Sequence, residues 1–369
     1  MRSDRSVDSG LEGVVVAESV LSRVDGEGGR LIIRGHDLER LATSASYEEA
    51  CALLWEGAEP GDGSAARYRE LLARARNDAG AHLPALRGAL QRRDGMDALR
   101  GSLAQLEPPH DDPIAQAAAL TGATAVFAGA WARLRRGQAP LPPDPSLDHA
   151  SDALRMATGS LQPQAARALG RYLVTVVDHG MNASTFTARV VASTGSDMVS
   201  AVVAAVGALK GPLHGGAPGP VLDMLDAIGE GGDARAHLRA RLSAGERIMG
   251  MGHRIYRVRD PRAAVLEDAL ELLSPASPGR GRLRVARAVE RAAGELLRER
   301  HPGRRLEANV EFYTAVLLDA LGLDRAQFTP TFATGRVAGW CAHVLEQRAT
   351  GRLIRPALRY VGPVPGLAA

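Results

Sequence analysis

The stretch MVSAVVAAVGAL, residues 198–209, decides the fold, and it runs straight into KGPLHGG, residues 210–216. Read with a helical period, the first segment is apolar nearly all the way round. A helix of that kind cannot sit on a surface, so it belongs at the centre of a domain or in a subunit interface. Gly211-Pro212 stops it, because proline cannot continue a helix and pushes the residue before it out of the helical region. His214 is then presented on a turn beside Gly215 and Gly216, where a ligand can approach the backbone closely. A histidine at a helix end also serves simply to cap carbonyls, and the segment alone leaves both readings open. Lys210 marks the junction, being the only lysine in a chain whose other cations are arginines.

Outward from this helix, almost every periodic segment is helical. Ser46 with Glu49 forms a capping box ahead of Ala50, Leu53, Leu54 and Trp55, which predicts a helix from Tyr47 to about Gly57. Further helices are expected over 65–77, 113–135, 164–177, 183–193, 196–210 and 310–321. Residues 13–35 are the one β region, with Val14, Val15 and Val16, then Val20 and Leu21, then Leu31, Ile32 and Ile33 around a Gly26-Glu27-Gly28-Gly29 turn. The fold class is all-α with a short N-terminal β-hairpin. Gly137–Asp148 reads as a proline-rich exposed loop, and Ser274–Gly281 as a second soft stretch.

The chain has 369 residues, 45% of them hydrophobic and 24% charged, with a formal charge of +3. Such a chain buries a large core, and its arginines alternate with acids, which describes a solvated surface and no nucleic-acid partner. Cys51 and Cys341 lie in apolar helical contexts without metal-ligand spacing, as buried thiols of a reducing compartment do. Neither an export signal nor a run of about 20 apolar residues is evident, so a soluble cytoplasmic protein without a membrane partner is expected.

Two more segments carry chemistry. In MGMGHRIYRVRDPR, residues 249–262, Gly250 and Gly252 bracket Met251 before His253, and Arg254, Arg257, Arg259 and Arg262 follow. Backbone N–H groups and planar guanidinium groups at that density suit phosphates and carboxylates. In NVEFY, residues 309–313, Glu311 stands between apolar neighbours, and desolvation raises the basicity of such a carboxylate. Asp178-His179-Gly180-Met181-Asn182 places a histidine before a helix cap. Arg336 opens RVAGWCAHVLEQ, and Arg355 precedes Pro356 in an extended conformation. A metal site built from His179, His214 and His253 lacks the accompanying cysteines or paired carboxylates, so no metal is assigned.

Taken in order, HGMNAST (179–185), KGPLHGG, GHRIYRVRDPR (252–262), NVEFY, FTPTFATGRVAGW (328–340) and LIRP (353–356) closely resemble the citrate synthase family, including its 2-methylcitrate synthase members. The likeness runs from the hairpin to Gly362. It implies a two-domain helical homodimer, with residues 1–216 and 322–369 as the large domain and 217–321 as a small mobile one. It implies His214, His253 and Glu311 as catalytic residues, and His179, Arg262, Arg336 and Arg355 as ligands of oxaloacetate, Arg355 coming from the other subunit. Arg257 would bind CoA phosphate, with Gly250 and Gly252 near the adenine. No permanently bound cofactor is implied; acetyl-CoA is a co-substrate, propionyl-CoA its rival, and a non-catalytic binder of CoA or a dicarboxylate is a reading from another class. Glu311 stands where the family usually has aspartate, and Ala357 where an arginine is common.

Overall fold

A computed structural model describes residues 10–109, 111–214, 218–253, 255–274, 278–363 and 365. Gly215, Gly216 and Arg254 lie outside the described residues. Three short strands come first, β1 (Ser22–Asp25), β2 (Arg30–Ile33) and β3 (His36–Asp37). They form one antiparallel sheet in the order β1-β2-β3, with Ser22 opposite Ile33 and Asp25 opposite Arg30. The expected hairpin therefore exists and gains a third strand. Val14–Val16 are not part of it: Val15 is 84% exposed and these residues form no strand.

Everything else regular is helical: α1 (Leu38–Ser44), α2 (Tyr47–Glu56), α3 (Ser64–His82), α4 (Arg87–Leu90), α5 (Gly95–Leu103), α6 (Pro113–Arg135), α7 (His149–Thr158) and α8 (Pro163–Val176). They are followed by α9 (Ala183–Ser193), α10 (Met198–Leu209), α11 (Pro218–Ile228), α12 (Ala234–Ser243), α13 (Pro261–Glu271), α14 (Pro278–Arg300), α15 (Val310–Ala320) and α16 (Phe328–Thr350). The Ser46–Glu49 capping box is fully formed. Two expectations shift. Arg336 sits in the middle of α16, which starts eight residues earlier because Pro330 falls in its first turn, where no amide is needed. The soft stretch at 274–281 ends early, as α14 begins at Pro278, again a proline at a helix start.

The core is organised around α6 and α16. At 23 residues α6 is long and apolar enough to cross a membrane, which overturns the expectation that no segment is, but 78% of its most apolar window is buried. It packs against α3, α5, α7 and α16, as the central helix of a globular core does. The apolar helix α10 buries Met198, Ala201, Val202, Ala205, Val206 and Leu209 against α9 and α16. Val199, Val203 and Ala204 on its other face stay half-exposed.

Glycines let α16 approach the end of α8. A Cβ at Gly335 would lie 2.5 Å from Val176 Cγ2, and one at Gly339 would meet Val177 O at an impossible distance. Tyr47 Oη donates to Thr334 O and Gly335 O at 2.9 and 3.0 Å, fixing α2 to the same stretch. Because Val177 leads directly into Asp178 and His179, this packing sets where those side chains stand. Gly339→Ala is accordingly expected to destabilise the protein by about 1 to 3 kcal/mol through overpacking, measured as a lower denaturant midpoint.

Candidate active site

Four loop-and-helix junctions converge beside α16. The first is the α8–α9 turn, Val177–Asn182. Asp178 is wholly buried and accepts from Ser22 Oγ in the hairpin and from His343 Nε2, the latter at 3.2 Å. Burial pushes its carboxyl up, but His343, Arg336 and Ser22 together outweigh that and hold it at about 2. His343 Nδ1 meets Arg189 Nη1 at 3.0 Å, and Arg189 pairs with Glu346. This chain of partners anchors the peptide from which His179 projects. His179 is itself buried, with Nε2 at 3.2 Å from Tyr256 Oη. Burial, then Arg262 and Arg336, drive its pKa well below the ordinary value, so it is neutral.

The second junction follows α10. Lys210 does not reach the site; its Nζ donates to Asp97 Oδ2 at 2.6 Å, tying α10 to α5. His214 does reach it, with Nε2 at 2.8 Å from Ser184 Oγ. That hydroxyl also accepts from Trp340 Nε1 at 3.1 Å and lies 2.8 Å from Asn182 Oδ1, the cap of α9. The single Ser184 proton thus has two acceptors within reach, Asn182 Oδ1 and His214 Nε2. Turned toward His214, it leaves the imidazole proton on Nδ1. Burial, with Arg336 adding to it, lowers His214 to about 4.

The third junction is the loop before α13. His253 Nδ1 accepts from the backbone N–H groups of Ile255 and Tyr256 at 3.0 and 3.1 Å. Two donors on Nδ1 force the proton of the neutral ring onto Nε2. Burial, then Arg262, hold this imidazole at about 4 as well. Asp260 caps α13 and grips Arg262 in a bidentate pair, Nε to Oδ1 at 3.0 Å and Nη2 to Oδ2 at 2.7 Å. Arg262 Nη2 lies 3.4 Å from His253 Nε2.

The fourth is the start of α15. Asp260 Oδ2 accepts from Val310 N at 3.2 Å, joining this helix to the Arg262 pair. Asn309 caps α15 through Glu311 N at 3.0 Å and donates from Nδ2 to Gly252 O at 2.8 Å. The partly buried Glu311 therefore stands on a helix end stapled to the His253 loop. Burial raises its pKa to about 7 against the pull of Arg262 and Arg336.

Gly250 and Gly252 both adopt left-handed backbone, φ 75° and 85°, which a Cβ would disfavour. They let residues 250–252 bridge to 307–309, since Gly252 N donates to Glu307 O at 2.7 Å and Asn309 N to Gly250 O at 3.0 Å. The Gly252 N–H is therefore occupied and does not line a pocket, contrary to expectation. Arg336 is 1% exposed and, among the described residues, makes one hydrogen bond, Nε to Val176 O at 2.6 Å. Burial lowers this guanidinium to about 10.

Not all predicted residues come together. Arg355 lies exposed, in a cleft shared with Leu11, Phe186 and Gln347. Arg257 is exposed and 3.9 Å from Glu27 in the hairpin turn. Arg259, grouped with the anion-binding arginines by sequence, is consumed by Glu290 at 2.8 Å and Glu267 at 2.7 Å. Sequence reading missed Ser184, Tyr256, Asp260 and Trp340; only Asp260, before a helix-starting proline, carried a local signal. Among the described residues, no three His, Cys, Asp or Glu side chains group as a metal site would.

The arrangement combines two imidazoles kept neutral, each able to present an N–H donor, a carboxyl with a pKa near neutrality, and two buried guanidinium groups. Comparison with known proteins places it. The family model described as "Citrate synthase, C-terminal domain" matches residues 10–357. The chain is 41% identical to a protein named putative citrate synthase 2 from Mycobacterium tuberculosis, covering 96% of this chain and 93% of the relative. It is 36% identical to a 2-methylcitrate synthase of the same organism, covering 96% and 91%. The citrate synthase structure from Thermotoga maritima superposes with a TM-score of 0.85 at 33% identity over 99% of this chain and 98% of that one. The ternary complex of citrate synthase from Thermoplasma acidophilum with carboxymethyl coenzyme A and oxaloacetate gives 0.86 at 26% identity over 99% and 98%. The chain belongs to the citrate synthase family.

Proposed function

We propose that this protein condenses acetyl-CoA with oxaloacetate and hydrolyses the resulting thioester to citrate and CoA. One observation carries the reading: a carboxyl raised to about 7 shares a cluster with two histidines lowered to about 4. Removing a proton from the methyl group of a thioester needs both a base of matched pKa and stabilisation of the oxyanion that develops. Glu311 takes the proton. His214, with its proton on Nδ1, donates to the thioester carbonyl as negative charge builds there. The enol carbon attacks the ketone of oxaloacetate, which His253 polarises through Nε2–H. Because both imidazoles start neutral, each acts as a hydrogen-bond donor that need not first release a proton to solvent. Water then cleaves the thioester and CoA leaves.

His179, Arg262 and Arg336 hold the oxaloacetate carboxylates in this scheme. Arg262 arrives already neutralised by Asp260, so Arg336, with no carboxylate in hydrogen-bond reach among the described residues, contributes the larger share of attraction. Arg355 and Arg257 complete the site, the first from a second subunit and the second on CoA phosphate. The half-exposed apolar face of α10 and the exposed Leu353, Leu358 and Val361 support a homodimer. Residues 217–321 act as the small domain that closes over the substrates, with the remainder as the large one; closure excludes water from the enol. The two buried free thiols, Cys51 and Cys341, suit a cytoplasmic location, and neither metal nor permanently bound cofactor takes part.

The test is release of free thiol from acetyl-CoA that depends strictly on oxaloacetate; ligand-induced stabilisation without turnover would instead leave a binding paralogue. The kinship with a 2-methylcitrate synthase favours propionyl-CoA as the second thioester to try. One methylene is worth only about 1 to 3 kcal/mol of discrimination, so the ratio of kcat/KM for the two thioesters decides between them. Glu311 is a methylene longer than the family's usual aspartate. In a site built around the longer arm, Glu311→Asp is expected to lower kcat by about 10²-fold, as displacements of about 1 Å do, with the KM for oxaloacetate unchanged.

A further inference from the structure

Tyr256 stands apart from the residues that hold charge in this site. It is 2% exposed, yet no step of the condensation uses it. Its hydroxyl makes one hydrogen bond among the described residues, to His179 Nε2 at 3.2 Å. Its ring packs beside both histidines, with centroid distances of 5.7 Å to His179 and 4.8 Å to His253. Its backbone N–H is one of the two donors that fix the proton of His253 on Nε2. The Arg262 guanidinium stands 6.0 Å from the ring centroid. One side chain thus touches the surroundings of both imidazoles and of one carboxylate-binding arginine.

The peptide carrying Tyr256 is held from outside by the β1–β2 turn. Arg257 N donates to Gly26 O at 2.9 Å. A Cβ on Gly26 would overlap Ile255 O, and one on Gly29 would fall 2.5 Å from Val258 Cγ2. The turn therefore grips residues 255, 257 and 258 on one side, while the Tyr256 side chain faces the histidines on the other. The glycine-rich turn is short of side chains where the loop seats against it.

We propose that Tyr256 is a positioning residue that sets His179 and His253 against each other for the 2-oxoacid, and that the β1–β2 turn is the clamp that keeps it there. This rests on the condensation reading above. The hydroxyl on Nε2 of His179 fixes the ring's orientation and the tautomer it offers a carboxylate. The ring packs against both imidazoles at once, closing a triangle with two rings whose own centroids are 5.8 Å apart. Binding of the acyl-CoA thioester is untouched, because Tyr256 faces the oxoacid residues.

The experiment is steady-state kinetics on Tyr256→Phe with oxaloacetate and acetyl-CoA varied separately, alongside oxaloacetate-induced thermal stabilisation. A hydrogen bond between neutral groups is worth up to about tenfold in affinity. Tyr256→Phe should raise the oxaloacetate KM by about that factor, with the acetyl-CoA KM at saturating oxaloacetate unchanged. On a His179→Ala background the same substitution should have almost no further effect, since the two act as one unit. Gly26→Ala should raise the oxaloacetate KM in the same direction. The positioning role is overturned by an unchanged oxaloacetate KM in Tyr256→Phe, or by effects of Tyr256→Phe and His179→Ala that multiply independently. The clamp is overturned by wild-type kinetics in Gly26→Ala. A wild type that releases no thiol from acetyl-CoA would defeat the condensation reading itself, and loss of oxaloacetate stabilisation in Tyr256→Phe would still be readable without turnover.

Discussion

Glu311→Gln should reduce kcat by about 10²- to 10⁴-fold, the range over which a positioned general base contributes, while oxaloacetate still stabilises the variant against heat as it does the wild type. Glutamine keeps the shape of the side chain and removes only its ability to take a proton. A wild-type rate in Glu311→Gln would dismiss the base. The same residue fixes the pH profile. Only the ionised carboxylate is a base, so kcat/KM should rise with pH and level off above about 7, the value to which burial lifts the group. His214 and His253 add no limb near neutrality, because burial keeps both at about 4.

Stability responds in the opposite sense. A carboxyl with a raised folded pKa keeps its proton where the unfolded chain has lost it, so its penalty is absent below about pH 4.5 and grows as pH rises to about 7. Glu311→Gln should therefore match wild type at pH 4.5 and exceed it at pH 8, by up to about 3 kcal/mol. Equal denaturant midpoints at pH 8 would refute the desolvation account of Glu311. Activity and stability are thus opposed at one side chain, as they often are where a site holds a strained or desolvated group.

The second large effect belongs to Arg336. Arg336→Met, which keeps apolar volume and removes charge, is expected to raise the oxaloacetate KM by about 10²- to 10³-fold, since truncating one partner of a buried charge pair costs about 2 to 5 kcal/mol. The resting protein should lose nothing. Its guanidinium is 1% exposed, makes a single hydrogen bond among the described residues and has been lowered to about 10 by burial, so the cation is a burden until a carboxylate arrives. A drop in oxaloacetate affinity of less than about fivefold, or an apo midpoint well below wild type, would give Arg336 a structural role instead. The acetyl-CoA KM at saturating oxaloacetate should hold.

The helices that could be read from sequence were those with a clean apolar period or a cap. The capping box of α2, the limits of α6, α8 and α9, and the stop after α10 all follow from local rules. The amphipathic α14 was less legible, because it opens with PGRGR and carries few apolar residues among its arginines. Val14–Val16 looked like a strand, yet a strand needs a partner, and no strand among the described residues pairs with them. In the site, His214, His253 and Glu311 were visible because glycines and a proline put each at a break in regular structure. Arg259 was misjudged, since its partners Glu267 and Glu290 come 8 and 31 residues later and are brought close only by the packing of α13 and α14. Ser184 and Tyr256 gave no sign, as a hydroxyl acquires its meaning only from what stands opposite it.

The hairpin's reach has a consequence for biogenesis. Val20 is bonded to Glu346 across 326 positions, Ser22 to Asp178 across 156, and Gly26 to Arg257 in the loop before α13. The hairpin region thus waits for α16 before all of its partners exist. Contacts of that sequence separation are slow to close and leave greasy helices such as α6 and α10 without cover in the meantime. Nascent chains stalled before α16 should therefore clump or recruit holdases, and competence for chemistry should switch on only once α16 has emerged.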